Sequence, residues 1–111
     1  MVNELKRAKD ALDAAERNLN DFKDVNTAAN RIFFACEPLA HALIEKRLGN
    51  IPKTRIKLQR NMKSLNPALK QTYDESYDLR MQADYGCDFK HLQLSEENVR
   101  IIINKVKHLY V

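Results

Sequence analysis

The sequence predicts an all-α fold: an antiparallel helical bundle of four main helices plus a short one, in a single domain over residues 1–111. Three observations lead there. Apolar residues recur at spacings of three and four in separate stretches, as a one-sided helical face requires. No segment alternates long enough to argue a sheet, and the strand-prone run Ile101-Ile102-Ile103 lies in capped, charged surroundings that favour helix. Stop and start signals separate the stretches: Gly49-Asn50 with Pro52, Asn66 with Pro67, and Tyr85-Gly86-Cys87-Asp88.

In chain order, Leu5, Ala8, Leu12, Ala15, Leu19 and Phe22 form the first apolar stripe. The second helix runs from about Val25 to Leu48 through Ile32, Phe33, Cys36, Leu39 and Ile44, and its alanines allow a neighbour to pack closely. Pro38 lacks the amide that would bond the carbonyl of Phe34, so a kink or local opening is expected there. A short helix is expected around Thr54 to Lys63, capped by Thr54. Asn66 caps the next, with Pro67 suited to the first helical position, and Leu69, Tyr73, Tyr77 (or Ser76) and Arg80 follow at helical spacing. The last helix begins at Ser95, with Glu96 and Glu97 at its positive end and a stripe of Val99, Ile102, Ile103, Val106 and Tyr110.

With 44% hydrophobic and 31% charged residues in 111, the chain has the profile of a folded domain in which nearly every helix must give a face to the core. No stretch approaches the roughly eighteen apolar residues of a membrane span, and the charged, amphipathic start is unlike a signal peptide, so a cytoplasmic location without membrane attachment is expected. Cys36 and Cys87 are too few and too far apart for a disulfide scaffold or zinc site, and Cys36 is expected to be buried. His91 and His108 lack spaced partners, so no metal is expected. Charge is segregated. Lys46, Arg47, Lys53, Arg55, Lys57, Arg60 and Lys63 run without an acidic residue, whereas Arg80 alone offsets the acidic residues between Asp74 and Asp88. Such asymmetry can steer a nucleic acid or pair one subunit with another.

Asn30-Arg31-Ile32-Phe33-Phe34-Ala35-Cys36, the turn Pro52-Lys53-Thr54, and Leu79-Arg80-Met81-Gln82-Ala83-Asp84-Tyr85-Gly86 resemble, in order and spacing, the HEPN family. The likeness is to its small stand-alone branch with the Leu-Arg-x-x-Ala-Asp-Tyr pattern, and it extends from Leu5 to Tyr110. The resemblance implies a helical bundle, commonly a homodimer with a shared polar cleft. It also implies, for many members, a metal-independent endoribonuclease of toxin or defence type, needing no cofactor and partnered by a nucleotidyltransferase-like antitoxin. Members without the signature Arg and His act as nucleotide-binding or protein-interaction modules.

Arg80 matches the family arginine, and a guanidinium can hold a phosphate bidentately and stabilise charge developing on its oxygens. Tyr85 stands where active relatives carry histidine. A phenol of pKa about 10 is a poor substitute for imidazole in removing a ribose proton, but it can orient a phosphate or stack a base. Asp84 is expected to orient Arg80. Arg31 matches the second patterned arginine, and Pro38 occupies a position where relatives usually have histidine. His41, one turn from Glu37, offers proton transfer, with a surface i,i+4 pair as the plainer alternative. Arg31, Lys53, Arg55, Lys57 and Arg60 are the candidate RNA contacts, although a solvated basic face explains the run between Lys53 and Lys63 equally well. Tyr73 and Tyr77 read as core, with a base-stacking platform as the alternative. The leading expectation is a metal-independent endoribonuclease. A module without chemistry that binds RNA, a nucleotide or a nucleotidyltransferase-like partner, and a structural or regulatory dimer, are the alternatives.

Overall fold

The computed structural model describes residues 2–49 and 51–109, with the side chains of residues 2–4 outside the description, and among the described residues five helices make up most of the chain. They are α1 (Val2–Phe22), α2 (Val25–Leu48), α3 (Arg55–Leu65), α4 (Pro67–Tyr85) and α5 (Glu96–Leu109). Each boundary has a local cause. Lys23 takes a left-handed φ of 54° and turns the chain. Asp24 then caps α2 by accepting from the Thr27 amide (3.1 Å) and hydroxyl (2.7 Å). Gly49 closes α2 at φ 73°, a conformation that a side chain would strain. Thr54 Oγ1 accepts from the Lys57 amide, Asn66 Oδ1 from the amides of Ala68 and Leu69, and Ser95 Oγ from that of Asn98. Gly86 ends α4 in the left-handed region.

α2 is the central post and packs on all four other helices. Its buried face carries Ala28, Ile32, Phe33, Cys36, Leu39 and Ile44. Leu12, Ala15 and Leu19 come from α1, Leu58 and Met62 from α3, Leu69, Tyr73 and Leu79 from α4, and Val99, Ile102, Ile103 and Val106 from α5. Burying one such large apolar side chain contributes about 1.5–3 kcal/mol, so the interlocked set outweighs any single cap.

Four expectations need correction. Leu5 and Phe22, at the ends of the α1 stripe, are 36% and 74% exposed, so the buried stripe of α1 is Ala8, Leu12, Ala15 and Leu19. α2 runs unbroken through Pro38, held by packing on four neighbours, so one missing donor does not interrupt it. Tyr85 belongs to α4, and the break begins at Gly86. The short helix continues past Lys63 to Leu65. The expectations for Asn50 and Tyr110 lie outside the described residues.

The link from α4 to α5 is fastened from below. Asp78, only 4% exposed, accepts from the amides of Lys90 (3.0 Å), His91 (2.8 Å) and Leu92 (3.0 Å). Burial alone would raise the pKa of its carboxyl, but the three amides outweigh that and hold it below the ordinary value. Gln82 adds a donor to the Leu92 carbonyl and an acceptor for the Leu94 amide, both at 2.8 Å.

Candidate nucleic-acid interface

Leu79 and Arg80 are consecutive inside α4: Leu79 is buried and Arg80 surfaces beside α2. Its guanidinium rests on two rings of α2, 5.1 Å from the Phe33 centroid and 4.9 Å from that of Phe34. Asp84 Oδ2, one turn on, accepts from Arg80 Nε at 3.2 Å and also from Asn30 Nδ2 of α2 at 2.8 Å. The Arg80 side chain is 21% exposed. It is therefore held by its Nε edge and by two neighbouring rings, with the edge that reads phosphate bidentately not engaged by Asp84.

The same pattern extends on both sides. The Arg31 guanidinium lies over Phe34, 5.7 Å from its ring centroid. Phe33 packs edge-on against Phe34 and Tyr77, and tilted against Tyr73. Arg55, from the start of α3, lies 4.2 Å over Tyr77. The result is a row of three guanidinium groups and three rings, Arg31, Phe34, Arg80, Phe33, Tyr77 and Arg55, crossing α2, α4 and α3. Each cation over a partly exposed ring contributes about 0.5–1 kcal/mol while keeping its charge available to an anion.

Glu37 and His41 part company. Glu37 Oε2 accepts from the Tyr73 hydroxyl at 3.3 Å and lies 3.9 Å from Arg55 Nη2, so it ties α2 to α4 and α3. Burial and the adjacent carboxylate push the Tyr73 phenol up. For Arg55, desolvation opposes the charge, but Tyr73, Tyr77 and Glu37 outweigh it and raise the pKa. The expected i,i+4 pair is thus replaced by longer-range partners for Glu37. His41 is half-buried in a groove of about 530 Å³ between α1 and α2. α1 gives this groove Arg7, Asp10, Ala11 and Ala14, and α2 gives it Arg31, Phe34, Glu37, Pro38 and His41.

Tyr85 is 64% exposed at the last position of α4, directly after Asp84. Lys53, Lys57 and Arg60 are exposed on and before α3, while Arg55 is drawn into the row. Tyr73 is fully buried and Tyr77 half-buried, their rings spent on Phe33. Among the described residues no cluster of three His, Cys, Asp or Glu could hold a metal ion. Sequence reasoning missed Asn30 as the brace of Asp84, and with it a small polar cleft lined by Asn26, Thr27, Asn30, Arg31 and Asp84. It also missed the stacking of Arg80 on Phe33-Phe34, though two adjacent aromatics after Arg31 were the available signal.

The all-α bundle thus presents an arginine braced by a carboxylate and two aromatic rings. The family model for the HEPN domain matches residues 2–110, and the chain belongs to that family. No curated protein and no solved structure matches it. Among the described residues, no helix is long and apolar enough to cross a membrane.

Proposed function

We propose that this chain is an RNA-binding HEPN module of the toxin or defence type, which grips the phosphodiester backbone through Arg80 with Arg31 beside it. The observation that carries the reading is the bracing of Arg80: Asp84 holds Nε, Asn30 holds Asp84, and two rings support the guanidinium. A guanidinium already fixed in place binds phosphate without first losing side-chain freedom. Lys57 and Arg60, exposed on α3, supply further sequence-independent attraction.

Metal-independent cleavage is the second reading. It is favoured by the exposed phenol of Tyr85 next to the Arg80-Asp84 pair and by His41, which shares its groove with Arg31 and Phe34. Binding stands first because the groups in contact with Arg80 are Asp84, Phe33 and Phe34, and a phenol is a weak base near neutrality. A second copy of the chain and a nucleotidyltransferase-like antitoxin are the protein partners proposed, and the cytoplasm the location.

Labelled total RNA incubated in chelator with wild-type protein, Arg80→Ala and Arg80→Lys tests both readings. Arg80→Ala is expected to lose about tenfold or more in affinity, and Arg80→Lys to recover only part, since an ammonium lacks the planar fork. Binding unchanged in folded Arg80→Ala would refute the proposal. Fragmentation by the wild type that vanishes in Arg80→Ala would promote cleavage to the primary activity.

A further inference from the structure

We infer that the groove between α1 and α2 is a nucleobase subsite, so that the nucleic acid taken by this protein is single-stranded, one unstacked base lying on Phe34 while Arg31 and Arg80 hold the adjoining phosphate. The inference rests on the RNA-binding reading above and specifies its substrate.

Placement is the first argument. Phe34 and Arg31 line the groove and also belong to the guanidinium row, so the groove opens beside the proposed phosphate grip. Arg31 further lines the small polar cleft shared by Asn30 and Asp84. A ligand with a charged link between two residues, one of them an apolar disc, matches two recesses joined at an arginine.

Chemistry is the second. Ala11, Ala14, Phe34 and Pro38 offer an apolar surface, and Asp10 and His41 offer polar groups around it. A nucleobase has the same division, with apolar faces and hydrogen-bonding edges. Pro38 also leaves the Phe34 carbonyl without its intrahelical donor, which puts a backbone acceptor between two groove-lining residues. Phe34 is 37% exposed although the neighbouring Phe33 is buried, so part of its ring surface stays open to a base beside the two guanidinium groups that rest on it.

Size is the third. About 530 Å³ lies within the range of sites for small organic ligands and suits a nucleoside. In a duplex each base face is covered by its neighbours and each edge by its partner, so entry requires an unpaired base. Single strands and loops meet that condition without the cost of unstacking a helix.

Fluorescence anisotropy with a labelled single-stranded RNA, the same sequence as a blunt duplex, and an abasic ribose-phosphate strand of equal length tests this. The proteins are wild type, Phe34→Leu, Ala14→Trp to fill the groove from the α1 side, and Arg80→Ala, each checked by circular dichroism. The wild type is expected to prefer the single strand over the other two probes by about tenfold, the worth of one base-aromatic stack. Ala14→Trp should erase that preference while leaving the abasic strand bound as before, and Phe34→Leu, which also removes a ring beneath Arg80, should erase it and weaken binding of all three probes. Equal wild-type affinity for the abasic and base-bearing strands, or full single-strand affinity in folded Ala14→Trp, overturns the subsite and leaves the RNA-binding reading intact. Binding to no probe, or binding indifferent to Arg80→Ala, overturns both.

Discussion

Asn30 and Asp84 are 54 positions apart in sequence, yet their 2.8 Å hydrogen bond decides how Arg80 presents itself. Asp84 alone would hold Arg80 Nε through an i,i+4 contact worth only a few tenths of a kcal/mol on a helix surface. The amide from α2 fixes the carboxylate as well. Asn30→Ala is therefore expected to weaken RNA binding several-fold while lowering stability by no more than about 1 kcal/mol, the usual net worth of one such bond. Anisotropy titration beside thermal melting separates the two effects, and an unchanged affinity in the folded variant would remove Asn30 from the site. The Arg80-Asp84 pairing was legible from spacing alone. The brace was not, because an asparagine on a helix carries no periodic or charge signal of a partner so far along the chain. At Cys36, complete burial pushes the thiol up to about 12, whereas Cys87 is exposed. A thiol reagent at pH 8 is expected to modify one cysteine per native molecule, Cys87, and the second only on denaturation.

At the level of elements, the starts and stops were written in the chain: Thr54, Asn66 with Pro67, Gly49 and Ser95 all act at the termini assigned to them. Capping is readable because it is settled within four residues. The fastening of the α4-α5 link is different in kind, since Asp78 reaches amides twelve to fourteen residues away. In the sequence it is one more acidic residue in an acidic stretch. Asp78→Ala is expected to lower stability by about 2–3 kcal/mol, leaving three amides to find other acceptors. Because the folded pKa of Asp78 is depressed, its stabilisation is complete above the ordinary carboxylate pKa near 4 and is lost as pH falls through the lower folded value. Denaturant melts of wild type and Asp78→Asn at pH 7 and pH 3 check the sign: the difference between them should shrink at pH 3.

For the whole molecule, charge and shape work together. The bundle measures 39 × 28 × 20 Å, and its cationic row crosses three helices. If Arg31, Arg55 and Arg80 each meet one phosphate of a single strand, affinity should fall with salt at a log-log slope of about −2. Arg31→Gln should reduce that slope by about 0.7 in an ionic-strength series. A slope near zero would disconnect the row from nucleic acid. Segregation of charge along the chain announced a basic side, but not which arginines would be stacked, because that depends on helices brought together only by the fold.

Gly86, Cys87, Asp88 and Phe89 are all exposed, while the residues immediately after them are pinned by Asp78 and Gln82. The Gly86 and Cys87 amides still bond back to α4, so the exposed span between the two secured ends is short. A peptide bond cut within it should leave the pieces associated, since α5 remains seated in the core through Val99, Ile102, Ile103 and Val106. The protein could then be produced as two separate polypeptides, residues 1–87 and 88–111, that reassemble on mixing. For the same reason this is the place to graft a fluorescent reporter, since an insertion there would lengthen a span already outside the core rather than pry the helices apart.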